Sequence, residues 1–149
     1  MNIQVEQRPA TSRGRLYPEY DDSAKILSVT SKEALSWPYG IHIDGRVLLD
    51  ANEERMLANI DLLIPKKYWH SGIQPELPMR LLETDLLLTQ PTLRQKDFSF
   101  DLSIVSDETE SWVHIFFGEG LQGTTWVKLS PQCFVQLANR SLLGFYIML

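Results

Sequence analysis

The 149-residue chain has a single cysteine, Cys133, so it can form no internal disulfide, which excludes a small secreted scaffold held by cross-links. A lone thiol fits a reducing, cytoplasmic setting. Positive charge is also in the minority. Fourteen Lys and Arg face nineteen Asp and Glu, and the formal charge of -5 argues against duplex nucleic acid or an anionic membrane surface as the main partner. A basic or amphipathic partner is expected instead. Long apolar runs are missing too: the longest, Leu142 to Leu149, is interrupted by Gly144 and falls short of the ~18 residues a membrane span needs. The opening residues Met1 to Glu6 show no basic stretch followed by an apolar one, so no secretory leader and no membrane association are expected.

Catalytic signatures are equally scarce. The three histidines, His42, His70 and His114, occur in no His-x-His or His-Glu-x-x-His spacing, and there is no Cys-x-x-Cys, so no metal site is expected. No Gly-x-Ser-x-Gly elbow or Walker loop is present. Gly118, Gly120 and Gly123 miss the dinucleotide spacing and precede no helix, so no cofactor is expected either. Two arrangements remain as catalytic alternatives. His42 and Asp44 are two apart on a predicted strand and would share a face, as an imidazole oriented by a carboxylate does; equally, Ile41 and Ile43 would take the core side and leave the pair in solvent. Cys133 could use His114 as a base, but its neighbours Phe134 and Val135 point to a buried, inert thiol.

With 44% hydrophobic and 22% charged residues, the composition is that of one globular domain spanning 1–149. Charge falls in blocks. Residues 16–64 and 97–149 are acidic, while the connector 65–96 is basic and holds Pro65, Pro75, Pro78 and Pro91. The acidic blocks look like copies of one another: Ser31, Glu33, Ser36 and Trp37 recur at one constant spacing as Ser106, Glu108, Ser111 and Trp112, the pattern an internal duplication leaves. Both halves read as strands. Phe98 to Ile104 alternates apolar and polar, Trp112 to Phe117 follows a polar hinge and leads into a hairpin, and Asp44-Gly45 between apolar residues is the strongest hairpin signal in the chain. Two short helices are expected. One covers 78–88, led by Pro78 with Leu81, Leu82 and Leu86 on one side, although a loop followed by a strand from Asp85 to Thr89 suits the same residues. The other covers 130–139, with Ser130 as cap and Pro131 at its first position. The expected fold class is therefore a β-rich α+β domain of two related antiparallel halves.

From Tyr20 to Ile64 the chain resembles a small bacterial domain family of unknown function. The resemblance rests on the acidic turn Tyr20-Asp21-Asp22, the strand Ile26 to Val29, the glycine-led Gly40-Ile41, and the strands Val47 to Asp50 and Leu57 to Leu63. It implies a small antiparallel sheet packed on a helix, and no activity. The overall profile, small and acidic with no catalytic constellation, resembles that of bacterial immunity proteins and antitoxins.

The carboxylates gather in two predicted exposed turns, Asp50, Glu53 and Glu54 in one and Asp107, Glu108 and Glu110 in the other. Exposed turns suit steering of a basic partner better than acid–base catalysis. Trp69, in the basic and aromatic stretch Lys66 to Gly72, either anchors an interface or covers the seam between the halves. The leading expectation is a non-catalytic acidic protein that binds a basic partner, such as a toxin. The competing one is a small enzyme or ligand binder with a pocket between the halves, using His42 with Asp44 or the loop around Trp69.

Overall fold

The computed structural model describes residues 3–10, 16–31, 36–43, 45–89, 96–98, 102–117 and 124–149. Its strands are β1 (Val5–Pro9), β2 (Leu16–Asp21), β3 (Ile26–Ser31), β4 (Tyr39–Ile43), β5 (Val47–Ala51), β6 (Leu57–Leu63) and β7 (His70–Ser71). These are followed by β8 (Thr84–Leu88), β9 (Lys96–Phe98), β10 (Ser103–Ser106), β11 (Trp112–Phe116), β12 (Thr124–Ser130), β13 (Cys133–Ala138) and β14 (Ser141–Met148). The first sheet runs β2-β3-β6-β5-β4-β9 and the second β12-β13-β14-β11-β10-β7; β1 and β8 form a separate ribbon. Within the sheets all pairings are antiparallel except β4 with β9 and β10 with β7, at one edge of each.

Alternation along the strands builds the core. β3 alternates half-buried and buried residues in strict turn, placing Leu27 and Val29 inward. They join Ile41, Leu49, Ile60 and Leu62 of the first sheet and Val113, Ile115, Cys133, Val135, Phe145 and Ile147 of the second in one cluster, so the sheets pack face to face as a sandwich. Each such side chain contributes about 1.5–3 kcal/mol on burial. The β1–β8 ribbon closes one end and inserts Ile3, Val5, Leu86 and Leu88. It is held by Val5 N–H to Arg140 O (2.8 Å) on one side and Leu88 N–H to Arg55 O (2.9 Å) on the other.

Five strands follow the same order in both sheets: β2-β3-β6-β5-β4 in the first matches β10-β11-β14-β13-β12 in the second. The registers agree in detail. A bulge follows Asp50 opposite Asn59, and a bulge follows Gln136 opposite Gly144. This correspondence sets β3 against β11 and Asp21 against Asp107, so the Trp37/Trp112 spacing read from the sequence, which sets β3 against β10, is not the register the strands follow.

The α+β expectation is corrected. No α-helix occurs among the described residues, whose only helical turn is the 3-10 turn Lys66–Tyr68, and none is long and apolar enough to cross a membrane. Residues 130–139 form a hairpin turn at Pro131-Gln132 followed by β13. Proline at the second position of a turn meets the same backbone requirement as proline opening a helix, and pairing with β12 and β14 decides between them. Residues 78–88 are coil and then β8, because β1 supplies a partner for all five of its residues. Of the segment expected as a strand from Phe98 to Ile104, residues 99–101 lie outside the described residues, and its two ends belong to different sheets. β9 ends at Phe98 in the first sheet and β10 begins at Ser103 in the second. Nor does β11 form a hairpin with β12, which lies at the far edge of its sheet. The Asp44-Gly45 hairpin does join β4 to β5, with Gly45 at φ +65°, although Asp44 itself lies outside the described residues.

Candidate binding surfaces

The nucleophile reading of Cys133 fails on geometry. Its thiol is fully buried in the core, where desolvation pushes its pKa up to about 12. His114 points from the other face of its sheet, where its Nε2 meets Gln136 Oε1 at 3.0 Å and burial lowers its pKa. His42 lines a shallow cavity of about 280 Å³ with Arg46, Leu48 and Asp61. Pairing runs His42 to Leu48 to Asp61 across three strands, so two strand spacings, roughly 9–10 Å, separate the backbones of His42 and Asp61, while Asp44, the carboxylate expected beside His42, lies outside the described residues. Among the described residues no cluster of three or more His, Cys, Asp or Glu is placed to hold a metal.

The acidic turns have different fates. Asp50 is 4% exposed and belongs to the outer face of the first sheet rather than to a solvated turn, because the β5 alternation that turns Leu49 inward turns Asp50 outward among polar neighbours. Asn59 Nδ2 donates to both Asp50 Oδ2 and Asp61 Oδ2 at 2.9 Å, Thr30 Oγ1 donates to Asn59 Oδ1, and Ser28 Oγ donates to Asp61 Oδ1 at 2.7 Å. Glu53 and Glu54 are exposed, in a turn that Asn52 Oδ1 closes by accepting the N–H of Glu54 (2.9 Å) and Met56 (3.0 Å).

Asp107 is occupied by its own hairpin. It accepts Ser111 N–H at 2.7 Å, Thr109 Oγ1 at 2.9 Å and the Ser111 hydroxyl; these bonds, the Ser111 hydroxyl foremost, lower its pKa. Glu110 pairs with Lys66 at 2.7 Å, raising the lysine's pKa, and Glu108 is exposed. The Glu53–Glu54 turn precedes β6 while Lys66 and its partner Glu110 lie beyond the other end of β6. The two acidic turns are thus roughly 20 Å apart and form no common surface.

Trp69 is partly buried against the core. Its Nε1 donates to Ile64 O at 2.9 Å, and its ring meets Tyr20 edge-on at 5.6 Å, while Tyr20 OH donates to the same carbonyl at 3.2 Å. Lys66 sits over the Tyr20 ring at 4.8 Å and reaches Asp22 at 3.8 Å as well as Glu110, so one lysine joins the corresponding hairpin turns of the two halves.

The surface that sequence reasoning missed is the strap of residues 72–83. Gly72 N–H bonds Ser106 O at 3.2 Å on β10, Gln74 Nε2 donates to Tyr146 OH on β14, and Glu83 bridges to Lys128 on β12. The strap therefore crosses the outer face of the second sheet. That face is aromatic where the first is polar: Tyr146 packs with Trp112 and Phe134 at 5.9 Å and with Trp126 at 6.3 Å, and Leu77 and Leu81 pack onto this cluster. Outward, Ile73, Met79 and Leu82 are 92%, 87% and 83% exposed. Part of the signal was present in Pro75, which opposes a helix running through 72–83, whereas Pro78 suits the first turn of one. A helical reading nonetheless put Leu81 and Leu82 on one side, whereas an extended chain puts them on opposite sides.

Comparison of the sequence with protein-family models finds no match, and comparison with curated proteins finds none.

Proposed function

We propose that this protein is a non-catalytic, cytoplasmic binding protein that masks a basic, apolar-faced protein partner, in the manner of an immunity protein or antitoxin. The observation that carries the reading is the strap. Leu77, Leu81 and Gln74 pin it to the sheet, while three large apolar side chains on it, Ile73, Met79 and Leu82, remain in water. Soluble proteins keep extended apolar patches mainly where something docks. Ile73 follows Gly72, whose N–H is bonded to Ser106, which puts Ile73 near the acidic turn holding Asp107, Glu108 and Glu110. Exposed apolar residues interspersed with charge, carboxylates at Glu76 and Glu108 and a cation at Arg80, suit a partner segment carrying Lys or Arg around an apolar stripe. In this reading Glu108 steers association, Glu53 and Glu54 contribute only to the long-range field, and Asp50 and Trp69 serve the fold. The shared strand order and matching bulges support treating the halves as a duplication of one five-strand unit.

The test uses fluorescent amphipathic peptides of leucine with lysine, or leucine with glutamate, titrated by anisotropy. The lysine peptide is expected to bind at least about ten-fold more tightly than the glutamate peptide. Serine at Ile73, Met79 and Leu82 together should weaken it by about ten-fold or more. Glu108→Lys should slow association in a salt-dependent way, since exposed charges are screened beyond about 8–10 Å. Equal binding of the two peptides, or binding indifferent to the serine variant, would overturn the proposal.

A further inference from the structure

We infer that the end of the sandwich opposite the β1–β8 ribbon holds a separate site for a small anionic amphiphile, its head group at Lys25 and its apolar body over Leu63, Ile64 and Ile104. A cavity of about 220 Å³ lies there between the two sheets, floored by Ile64 of the first and Ile104 of the second and walled by Tyr68, which is 53% exposed. Two further hollows, of about 290 and 280 Å³, share walls with it: one through Lys25 and Pro65, the other through Arg46 and Leu63. These neighbours also carry carboxylates, Asp22 in the first and Asp61 in the second, whereas the 220 Å³ cavity itself is lined by apolar residues with Lys25 and Arg46 and by no carboxylate.

The duplicated strand plan supplies an internal comparison. In the first sheet this end is tied by Leu63 N–H to Arg46 O (2.7 Å) and Ile64 N–H to Lys25 O (3.1 Å). At the corresponding place in the second sheet, Met148 N–H bonds Gln132 O and Leu149 N–H bonds Ser111 O, both at 2.9 Å. The backbone closure is the same, yet serine and glutamine stand where the first sheet has lysine and arginine. The closure itself therefore requires no cation at either position.

Lys25 makes this sharper. It sits at φ +61°, a backbone region that favours glycine or asparagine, so a long cationic side chain is the less favourable choice for the turn. Lys66 is engaged by Glu110 and Asp22, whereas Lys25 makes no ion pair among the described residues. A cation at the mouth of a half-open apolar cavity is complementary to a carboxylate or sulfonate on a short hydrocarbon or aromatic body.

Decanoate, decanol and decyltrimethylammonium, titrated into the intact protein by calorimetry with backbone amide shifts recorded in parallel, separate the contributions. Decanoate is expected to bind most tightly and to shift the amides of Lys25, Arg46 and Tyr68. Lys25→Gly, which relieves the backbone and so keeps the fold, should weaken decanoate by about ten-fold while leaving decanol unchanged. Tyr68→Ala should weaken both. The serine variant of the strap should leave decanoate binding intact, which separates this site from the proposed protein-docking surface. Equal affinity for the three probes, or decanoate binding unaffected by Lys25→Gly, would overturn the inference.

Discussion

Gly144 faces the main chain of β11, and replacing it with alanine sets one added atom against backbone rather than against a flexible side chain. A Cβ built at Gly144 would overlap the carbonyl oxygen of Ile115 and crowd the Phe116 Cα at 3.2 Å. Both belong to the strand paired with β14, and Ile115 is fully buried. Overpacking of this kind destabilises by about 1–3 kcal/mol, while the stiffer unfolded chain returns about 0.4–1 kcal/mol. The net expectation for Gly144→Ala is a loss of about 1–2 kcal/mol, which for a chain of this length lowers Tm by about 2–8 °C. Urea unfolding followed by tryptophan fluorescence should show a lower midpoint at an unchanged slope. Gly45→Ala is the matching control, since nothing lies within 4 Å of its Cβ and only the φ of +65° opposes the substitution. A midpoint for Gly144→Ala at or above that of the parent would refute the steric argument.

Two titrating groups give further expectations. With its pKa pushed up to about 12 and no exposure, Cys133 should stay unlabelled by a thiol reagent at pH 8 until the protein is denatured, and rapid stoichiometric labelling of the native protein would contradict its placement. His114 is lowered in the folded state, mainly by burial, from an ordinary value of 6.5. The unfolded chain then binds more protons in the window below that value, so the stability involved is complete above about pH 6.5 and is lost as pH falls toward the folded pKa. Replacing His114 with glutamine should flatten this acid-side slope in chemical denaturation, and an imidazole titrating at or above 6.5 in the native protein would sink the argument.

Much of the strand content was legible because it is encoded locally. The apolar residues Ile26, Leu27 and Val29 mark β3, Asp44-Gly45 marks the β4–β5 hairpin, and the apolar neighbours of Cys133 mark its burial. The errors arise where residues satisfy two local rules and a distant partner selects one. Ser130-Pro131 suits a helix start or a hairpin turn, and only β12 and β14 decide. Asp50 reads as the first residue of an acidic turn, but the bulge after it and the Asn59 amide opposite draw it into the polar network of the first sheet. Trp69 looks available from its basic, aromatic neighbours, yet the Ile64 carbonyl holds its indole N–H. The strap escaped notice because its meaning depends on the aromatic face beneath it, assembled from β11, β13 and β14, all later in the chain.

The exchange of edge strands has a consequence for how the molecule comes apart. β7, which follows the first half, completes the second sheet, and β9, which precedes the second half, completes the first. The ribbon repeats this crossing: β1, ahead of both halves, hydrogen-bonds the turn at Arg140, and β8, between them, hydrogen-bonds the turn at Arg55. Each half is thus finished by a piece of chain tethered to the other, like two hands with fingers interlaced. Melting either sheet strips an edge strand from its neighbour, a route by which the unfolding of one half is felt by the other.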